Sequence, residues 1–366
     1  MKISGARTFK KEVFLLRLAV TTRCILRCRY CFVLKSSKVM SEITAKKAIE
    51  LSLYLPGDSK LIMFYGGEPL ICFDLLKRLI NFSIIMAKEL KKNIFLSIAT
   101  NGILLTKEKL VFFKKTGTKI SISIDGGLGC HNRMRVFADG RGSFRKVYDK
   151  INLAFRELGA ENVSALFGVA PSCVNQMYDN LLFLVNLGFK NINIEPIQGP
   201  HYLWGSEEKR YFLRQLHRFA KHMYESIISG KFIFLSSINR QLQNNRLSTP
   251  KRKCPFFNNL EVYPDGEITF SPFLINTGHR DRYIVGNINS NLNDKYRDCL
   301  CKLDSATCNN CWYDYYQDIR NLVVFSDIVA LRDAYSIELA ELIKKKASCN
   351  SIFNSYIIDA EKRVFE

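Results

Sequence analysis

The sequence predicts an α/β fold, built as a partial (β/α)6 TIM-like barrel with a small cysteine-rich domain on its C-terminal side. Two observations support this prediction. Short apolar runs alternate with helical segments six times before residue 230, and cysteines cluster again after residue 250. Six strand–helix units are too few to close an eight-stranded barrel, so we expect an open sheet.

The apolar pattern assigns each unit in turn. The predicted strands are Val13–Thr21, Leu61–Tyr65, Ile94–Ala99, Ile120–Ile124, Val163–Val169 and Ile192–Ile197. The predicted helices are Ile43–Leu55, Leu75–Leu90, Lys107–Lys115, Phe144–Leu158, Met177–Leu187 and Glu207–Ile228. Strands that alternate with helices form a parallel sheet with right-handed crossovers. In such sheets the chemistry lies at the C-terminal ends of the strands.

The amino-acid composition of the chain changes after residue 235. Ser, Asn and Gln dominate Ser236–Ser248, which predicts a linker, and short strands around Pro264-Asp265-Gly266 follow it. From Tyr315 onward the pattern is largely helical. We therefore expect a barrel over residues 1–235, a cysteine-rich domain over 236–320 and a helical segment over 321–366.

Composition indicates a globular protein of the cytoplasm. Hydrophobic residues make up 47% and charged residues 24% of the 366 residues. No apolar run approaches the roughly 20 residues that span a bilayer, and no export signal is visible. In a reducing compartment, clustered cysteines more often bind metal or do redox chemistry than form disulfides. The twelve cysteines are therefore expected to include metal ligands.

The net charge of +20 favours acidic partners, such as an acidic peptide or nucleic acid. The excess is spread along the chain, and the basic runs are short, as in Lys251-Arg252-Lys253. A general bias toward lysine would give the same charge, so nucleic acid is the less favoured partner.

Three cysteines directly after the first strand form the most distinctive motif. Cys24 and Cys28 have three residues between them, and Cys28 and Cys31 have two. So short a loop can bring three thiolates to one centre, and three ligands on a four-iron cluster leave one iron open. Spacing alone also permits zinc, although a structural zinc normally has four protein ligands.

This motif, with the aromatic Tyr30, resembles the defining motif of the radical S-adenosylmethionine (SAM) superfamily. The resemblance implies a [4Fe–4S] cluster that binds SAM, and an electron donor such as flavodoxin or ferredoxin. Further matches at the ends of later strands look like the family's SAM contacts, with Glu68 expected to pair with the ammonium of SAM. The residues implied as cofactor-binding are Tyr30, Gly66, Gly67, Glu68, Pro69, Asn101, Ser123 and Asp125. The stretch His131-Asn132-Arg133-Met134-Arg135 resembles the peptide- and protein-maturing branch.

The second cysteine group is similar to the SPASM or twitch domain of that superfamily. The matching positions are Cys254, Gly266, Cys308 and Cys311, and Ser271 stands where the family has another cysteine. The resemblance implies a twitch-like domain with one auxiliary iron–sulfur cluster, and its missing ligand could be Cys299 or Cys301. A structural zinc stays open at this group, because CxxC pairs do not separate the two metals.

The resemblance implies an oxidoreductase that abstracts hydrogen from a peptide or protein side chain. Sulfatase-maturing relatives carry an aspartate where this chain has Pro272, which argues against formylglycine formation. A radical SAM dehydrogenase acting on a small molecule is the first alternative. The alternative from another class is a non-catalytic iron–sulfur or zinc protein that binds nucleic acid.

Overall fold

The computed structural model describes residues 14–33, 35–199, 201–243, 259–269, 284, 286–290 and 328–363. These residues form two compact units, each made of separate stretches of chain. The first unit contains described residues up to Arg27, then Cys31–Ile120, and 259–290. The second contains Cys28–Tyr30, 121–243 and 328–363. The three predicted domains stay a prediction.

Strands and helices alternate as the sequence predicts. The strands are β1 (Leu15–Thr21), β2 (Ser59–Gly66), β3 (Asn93–Thr100), β4 (Lys119–Ser123), β5 (Val163–Val169), β6 (Asn191–Pro196), β7 (Phe234–Leu235), β8 (Asn259–Val262), β9 (Glu267–Thr269) and β10 (Gly286–Asn287). The helices are α1 (Glu42–Tyr54), α2 (Phe73–Glu89), α3 (Lys107–Thr116), α4 (Leu128–Met134), α5 (Phe144–Leu158), α6 (Met177–Leu187), α7 (Ser206–Ile228), α8 (Ser236–Leu242), α9 (Ile328–Ala347) and α10 (Ser351–Glu361).

In the first unit the strand order is β10-β9-β8-β1-β2-β3. Strands β8, β1, β2 and β3 are parallel to one another, whereas β9 pairs antiparallel with β8 and β10 pairs antiparallel with β9. One face is closed by a cluster of buried apolar residues, among them Leu15, Met63, Tyr65 and Tyr263. Because β1, β2 and β3 are parallel, their C-terminal ends lie along one edge of the sheet.

In the second unit β5 is parallel to β6, and β6 to β7. The chain just after β4 lies beside β5, because Ile124 N donates to Leu166 O at 3.0 Å. Helices α9 and α10 belong to this unit, and their presence agrees with the helical pattern of the chain's last part. The predicted α/β class with a parallel sheet is confirmed.

Local sequence explains where the helices begin and which face they bury. Ser41 accepts a hydrogen bond from Thr44 N at 3.0 Å and so caps α1, and Thr106 caps α3 through Lys109 N. Helix α5 buries a stripe of apolar residues at helical spacing, which is what a helix on a sheet requires. No helix among the described residues is long and apolar enough to cross a membrane.

The linker predicted over Ser236–Ser248 is wrong for its first half. Residues Ser236–Leu242 form α8, and most of its side chains are buried. One of its buried polar groups has a distant partner: Ser237 Oγ accepts a 2.9 Å hydrogen bond from Ser336 Oγ. Just after the helix, Gln243 Nε2 donates to Ala360 O at 2.7 Å. Buried polar residues with such partners are compatible with a core, so polar composition misled the prediction.

Candidate functional site

The cysteine loop leaves the C-terminal end of β1. All three cysteines are partly exposed. Cys24 Sγ accepts from Leu26 N at 3.4 Å and from Asn101 Nδ2 at 3.8 Å, and Cys31 Sγ accepts from Lys35 Nζ at 2.8 Å. Donors directed at sulfur stabilise its thiolate form, which is the form that binds metal.

Several groups of the first unit, including Cys31, act on the pKa of Cys24. Burial raises the pKa of Cys24, and the Leu26 amide and the Lys35 charge oppose that shift. Repulsion from Glu68 and Cys31 adds to it, which places all these charges near one another. Within the described ranges, no three His, Cys, Asp or Glu side chains are grouped as ligands of a single metal ion. Cys28 belongs to the second unit.

Gly66 and Gly67 bring the end of β2 against the start of the cysteine loop. Gly67 N donates to Thr21 O at 2.7 Å, and Glu68 N donates to Arg23 O at 2.8 Å. A Cβ at Gly66 would lie 2.3 Å from Thr21 O, and one at Gly67 would lie 2.2 Å from Arg23 O. Gly66 also has φ of 131°, which disfavours any other residue. The two glycines therefore permit a backbone contact that fixes where the loop begins.

Glu68 is fully buried and binds three donors within the protein. Its Oε1 accepts from Leu70 N at 3.1 Å and from Thr100 Oγ1 at 2.7 Å, and its Oε2 accepts from Asn101 N at 2.8 Å. Burial raises the pKa of this carboxyl, and the three hydrogen bonds oppose that shift. The carboxylate thus fastens the end of β2 to the end of β3, a role that sequence reasoning missed. Its expected pairing with the ammonium of SAM stays a prediction.

The remaining predicted residues of the first unit support the same strand ends. Pro69 begins a 3-10 turn, Pro69–Cys72, where a missing N–H costs nothing. Asn101 Oδ1 accepts from Ile103 N at 3.0 Å, which orients its amide nitrogen toward Cys24 Sγ.

In the second unit Asp125 binds Tyr30 of the cysteine loop. Tyr30 Oη donates to Asp125 Oδ2 at 2.8 Å, and Gly168 N donates to Oδ1 at 3.1 Å. Arg135 Nε lies 3.0 Å from Oδ1, and its guanidinium stands 5.2 Å from the centre of the Tyr30 ring. Burial raises the pKa of Asp125, and the charge of Arg135 is the largest opposing influence. Ser123, at the end of β4, comes two residues before this carboxylate.

His131 binds the backbone of Asp125. Its Nδ1 accepts from Asp125 N at 3.4 Å, and its Nε2 lies 2.9 Å from Ser143 Oγ, which donates to Arg135 O. The ring is therefore neutral, with its proton on Nε2. Burial, with the charge of Arg135, lowers the pKa of His131 to about 3. The stretch from His131 to Arg135, which resembles the peptide-maturing branch, thus positions Asp125 through contacts of His131 and Arg135.

The second cysteine group lies outside the described residues. This applies to all the predicted auxiliary ligands and to the two positions that depart from the family pattern: Cys254, Cys299, Cys301, Cys308, Cys311, Ser271 and Pro272.

Part of the chain, including the cysteine loop, matches a known protein family. Residues 18–169, from β1 to β5, match the model of the Radical SAM superfamily. The chain contains a radical SAM domain. The predicted cofactors, SAM and a [4Fe–4S] cluster, are confirmed by this match. The cysteine-type anaerobic sulfatase-maturating enzyme of Clostridium novyi is 25% identical over 334 residues, 83% of this chain and 86% of that protein.

Two solved structures share the fold of this chain. Native anSMEcpe with bound AdoMet and Cp18Cys peptide has a TM-score of 0.66 at 20% identity, covering 81% of this chain and 82% of that chain. Streptococcus suis SuiB bound to precursor peptide SuiA has a TM-score of 0.51 at 15% identity, covering 84% and 68%. The partial-barrel class predicted for the chain agrees with these neighbours.

Proposed function

We propose that this protein is a radical SAM enzyme in which Cys24, Cys28 and Cys31 hold the SAM-binding [4Fe–4S] cluster, and that it modifies a peptide or protein side chain. The observation that supports this most strongly is the three-cysteine loop at the C-terminal end of β1, inside the radical SAM match. A cytoplasmic location and an electron donor such as flavodoxin or ferredoxin stay predictions.

The chemistry of the side chains fits the cofactor. Three partly exposed cysteines supply the thiolates that iron–sulfur clusters use. A structural zinc normally takes four protein ligands, one more than this loop supplies, whereas three ligands suit a four-iron cluster with one open iron. When bound, SAM and the reduced cluster supply a 5′-deoxyadenosyl radical that takes a hydrogen atom from the substrate.

The protein's own residues position these groups. The Gly66-Gly67 contact and the Glu68 hydrogen bonds set the start of the cysteine loop relative to Asn101 in the first unit. In the second unit, Asp125 and Arg135 hold Tyr30, and Tyr30 is two residues from Cys28. Preorganisation of this kind is what a cofactor enzyme requires from its protein.

The proposed substrate is a peptide or protein, oxidised by two electrons. The names of the similar proteins support this class: one is a sulfatase-maturating enzyme, and SuiB was solved with a precursor peptide. The net charge of +20 would favour an acidic peptide. A twitch-like auxiliary cluster at Cys254, Cys308 and Cys311, completed by Cys299 or Cys301, is proposed to accept the substrate's electron.

Reductive SAM cleavage tests the proposed function. The full chain, reconstituted anaerobically with iron and sulfide, should form 5′-deoxyadenosine from SAM under dithionite. Changing Cys24, Cys28 or Cys31 to Ala should abolish the product, whereas the exposed Cys349→Ala is the matched control and should retain it. A folded Cys28→Ala protein that still makes 5′-deoxyadenosine would refute the assignment.

Substrate class is tested separately by mass spectrometry. Acidic peptides encoded beside the gene are incubated with the active enzyme, SAM and reductant, and the expected result is loss of two hydrogen atoms from the peptide. SAM cleavage without any peptide change, combined with oxidation of a small alcohol, would favour the dehydrogenase alternative.

A further inference from the structure

Two cysteines outside the cysteine loop meet in the second unit. Cys130 lies on α4, and Cys173 lies in the 3-10 turn Pro171–Gln176. Both are free, and only 3% of Cys130 and 5% of Cys173 is exposed. Both residues line one small pocket, and the two thiols are close enough to shift each other's pKa. The proposed function uses neither residue, so the contact needs its own explanation.

Polar groups surround this pair. Asn180 Nδ2 donates to Cys130 Sγ at 3.3 Å, and Cys130 Sγ donates to Gln176 Oε1 at 3.1 Å. Arg133 Nη1 lies 3.7 Å from Cys173 Sγ while donating to Ser172 O at 3.0 Å. Two thiols packed as ordinary hydrophobes would not need an amide and a guanidinium directed at sulfur.

The groups around the pair shift the pKa values of the two thiols in opposite directions. The hydrogen bond from Cys173, the Asn180 amide and the Arg133 charge lower the pKa of Cys130, against burial and the charge of Asp125. The same shared hydrogen bond raises the pKa of Cys173, because that thiol donates its proton to the partner sulfur. A thiolate beside a protonated thiol is the arrangement from which disulfides form.

The pair also borders the site described above. Cys130 and Cys173 line one small pocket together with Asp125, Gly168 and Asn180. Asp125 is the carboxylate that holds Tyr30. A change in the distance between α4 and the 3-10 turn would therefore change the pocket that Asp125 also lines.

We propose that Cys130 and Cys173 form a redox-active dithiol that a peroxide closes to a disulfide. The Cys130 thiolate attacks one oxygen of hydrogen peroxide, the O–O bond breaks, and hydroxide leaves and takes up the released proton as water. The Cys173 sulfur then attacks the sulfenic sulfur, the S–O bond breaks, and a second water leaves. Two thiols and one peroxide give one disulfide and two waters, and a dithiol reductant reverses the change.

Peptide mapping of the full chain tests this proposal. Protein purified anaerobically with its cluster is treated with one equivalent of hydrogen peroxide, alkylated and digested with trypsin. Cys130 is the only cysteine of peptide 120–133, and Cys173 is the only one of peptide 157–190. The expected product is a dithiothreitol-sensitive link between these two peptides. Thiols released by damage to the cluster lie in other peptides and do not disturb the readout.

Variants identify the attacking sulfur. Cys173→Ser should abolish the linked peptide and leave Cys130 as a sulfenic acid that dimedone traps, whereas Cys349→Ser should leave the link unchanged. Circular dichroism checks that each variant is folded, and the wild-type map is decisive even if a variant is not. Oxidation of Cys349 in wild-type protein, with Cys130 and Cys173 both still alkylated as free thiols, would overturn the proposal.

Discussion

At the scale of single residues, Glu68 is a motif residue whose carboxylate binds groups of the protein itself. Its side chain has no exposed surface, and three donors from two different strand ends already bind it. A buried carboxylate with such partners is costly to remove, because each donor left without an acceptor pays its desolvation cost.

Glu68→Ala should therefore destabilise the chain as well as weaken SAM binding. It leaves two backbone N–H groups and one hydroxyl without an acceptor, and we expect a loss of about 2–4 kcal/mol in the free energy of unfolding. Glu68→Gln keeps one acceptor oxygen and should lose less, about 1 kcal/mol. Urea denaturation of the metal-free chain measures both. If Glu68→Ala unfolds at the wild-type urea midpoint and only SAM affinity falls, the residue is a ligand contact instead.

The neutral His131 predicts a pH dependence of stability. Its folded pKa is about 3, below the value of about 6.5 in an unfolded chain. Between these values the unfolded state binds more protons, so stability falls as the pH drops. From pH 7 to pH 5 this group should remove about 2 kcal/mol of the free energy of unfolding.

His131→Asn lacks this titration. Urea denaturation at pH 7 and pH 5 should show a drop that is smaller by about 2 kcal/mol in the variant than in the wild type. Other groups titrate alike in both proteins and cancel in the comparison. Parallel pH curves for the two proteins would mean that His131 takes up its proton in the folded state without penalty.

At the scale of elements, the turn after β2 depends on glycine. An added methyl group at Gly67 would meet the carbonyl of Arg23, so the start of the cysteine loop would have to move. Gly67→Ala should cost about 1–3 kcal/mol of stability and lower the iron bound after reconstitution. Gly129→Ala is the control, because a Cβ there meets nothing within 4 Å. If Gly67→Ala binds iron and unfolds as the wild type does, the close approach does not position the loop.

The elements also show what sequence reasoning can reach. Apolar runs ending in Gly or Asp located β1 to β6 within a few residues, because burial and turn formation are local requirements. The bonding of Asp125 to Tyr30, 95 positions earlier, could not be found in this way. Helix α8 was mistaken for a linker for the same reason, since its buried Ser237 finds a partner about 100 residues later, at Ser336. Local pattern predicts elements, whereas the pairing of distant polar groups comes from the fold.

At the scale of the whole molecule, the two cysteine groups predict two iron–sulfur clusters. The reconstituted chain should bind about eight irons, and a Cys308→Ala/Cys311→Ala protein about four. The double variant should still form 5′-deoxyadenosine, because the first group alone binds SAM. Iron analysis and circular dichroism are measured together, since loss of a cluster can unfold a small domain. Tight zinc in place of the second four irons would restore the structural-zinc interpretation.

Electron paramagnetic resonance tests the central claim most directly, namely that the cluster at Cys24, Cys28 and Cys31 binds SAM at its open iron. The reduced Cys308→Ala/Cys311→Ala protein isolates that cluster. Its spectrum is predicted to be that of one [4Fe–4S] cluster in the reduced state, with g values that shift when SAM is added. A spectrum that SAM leaves unchanged, in a folded protein with about four irons, would contradict the account.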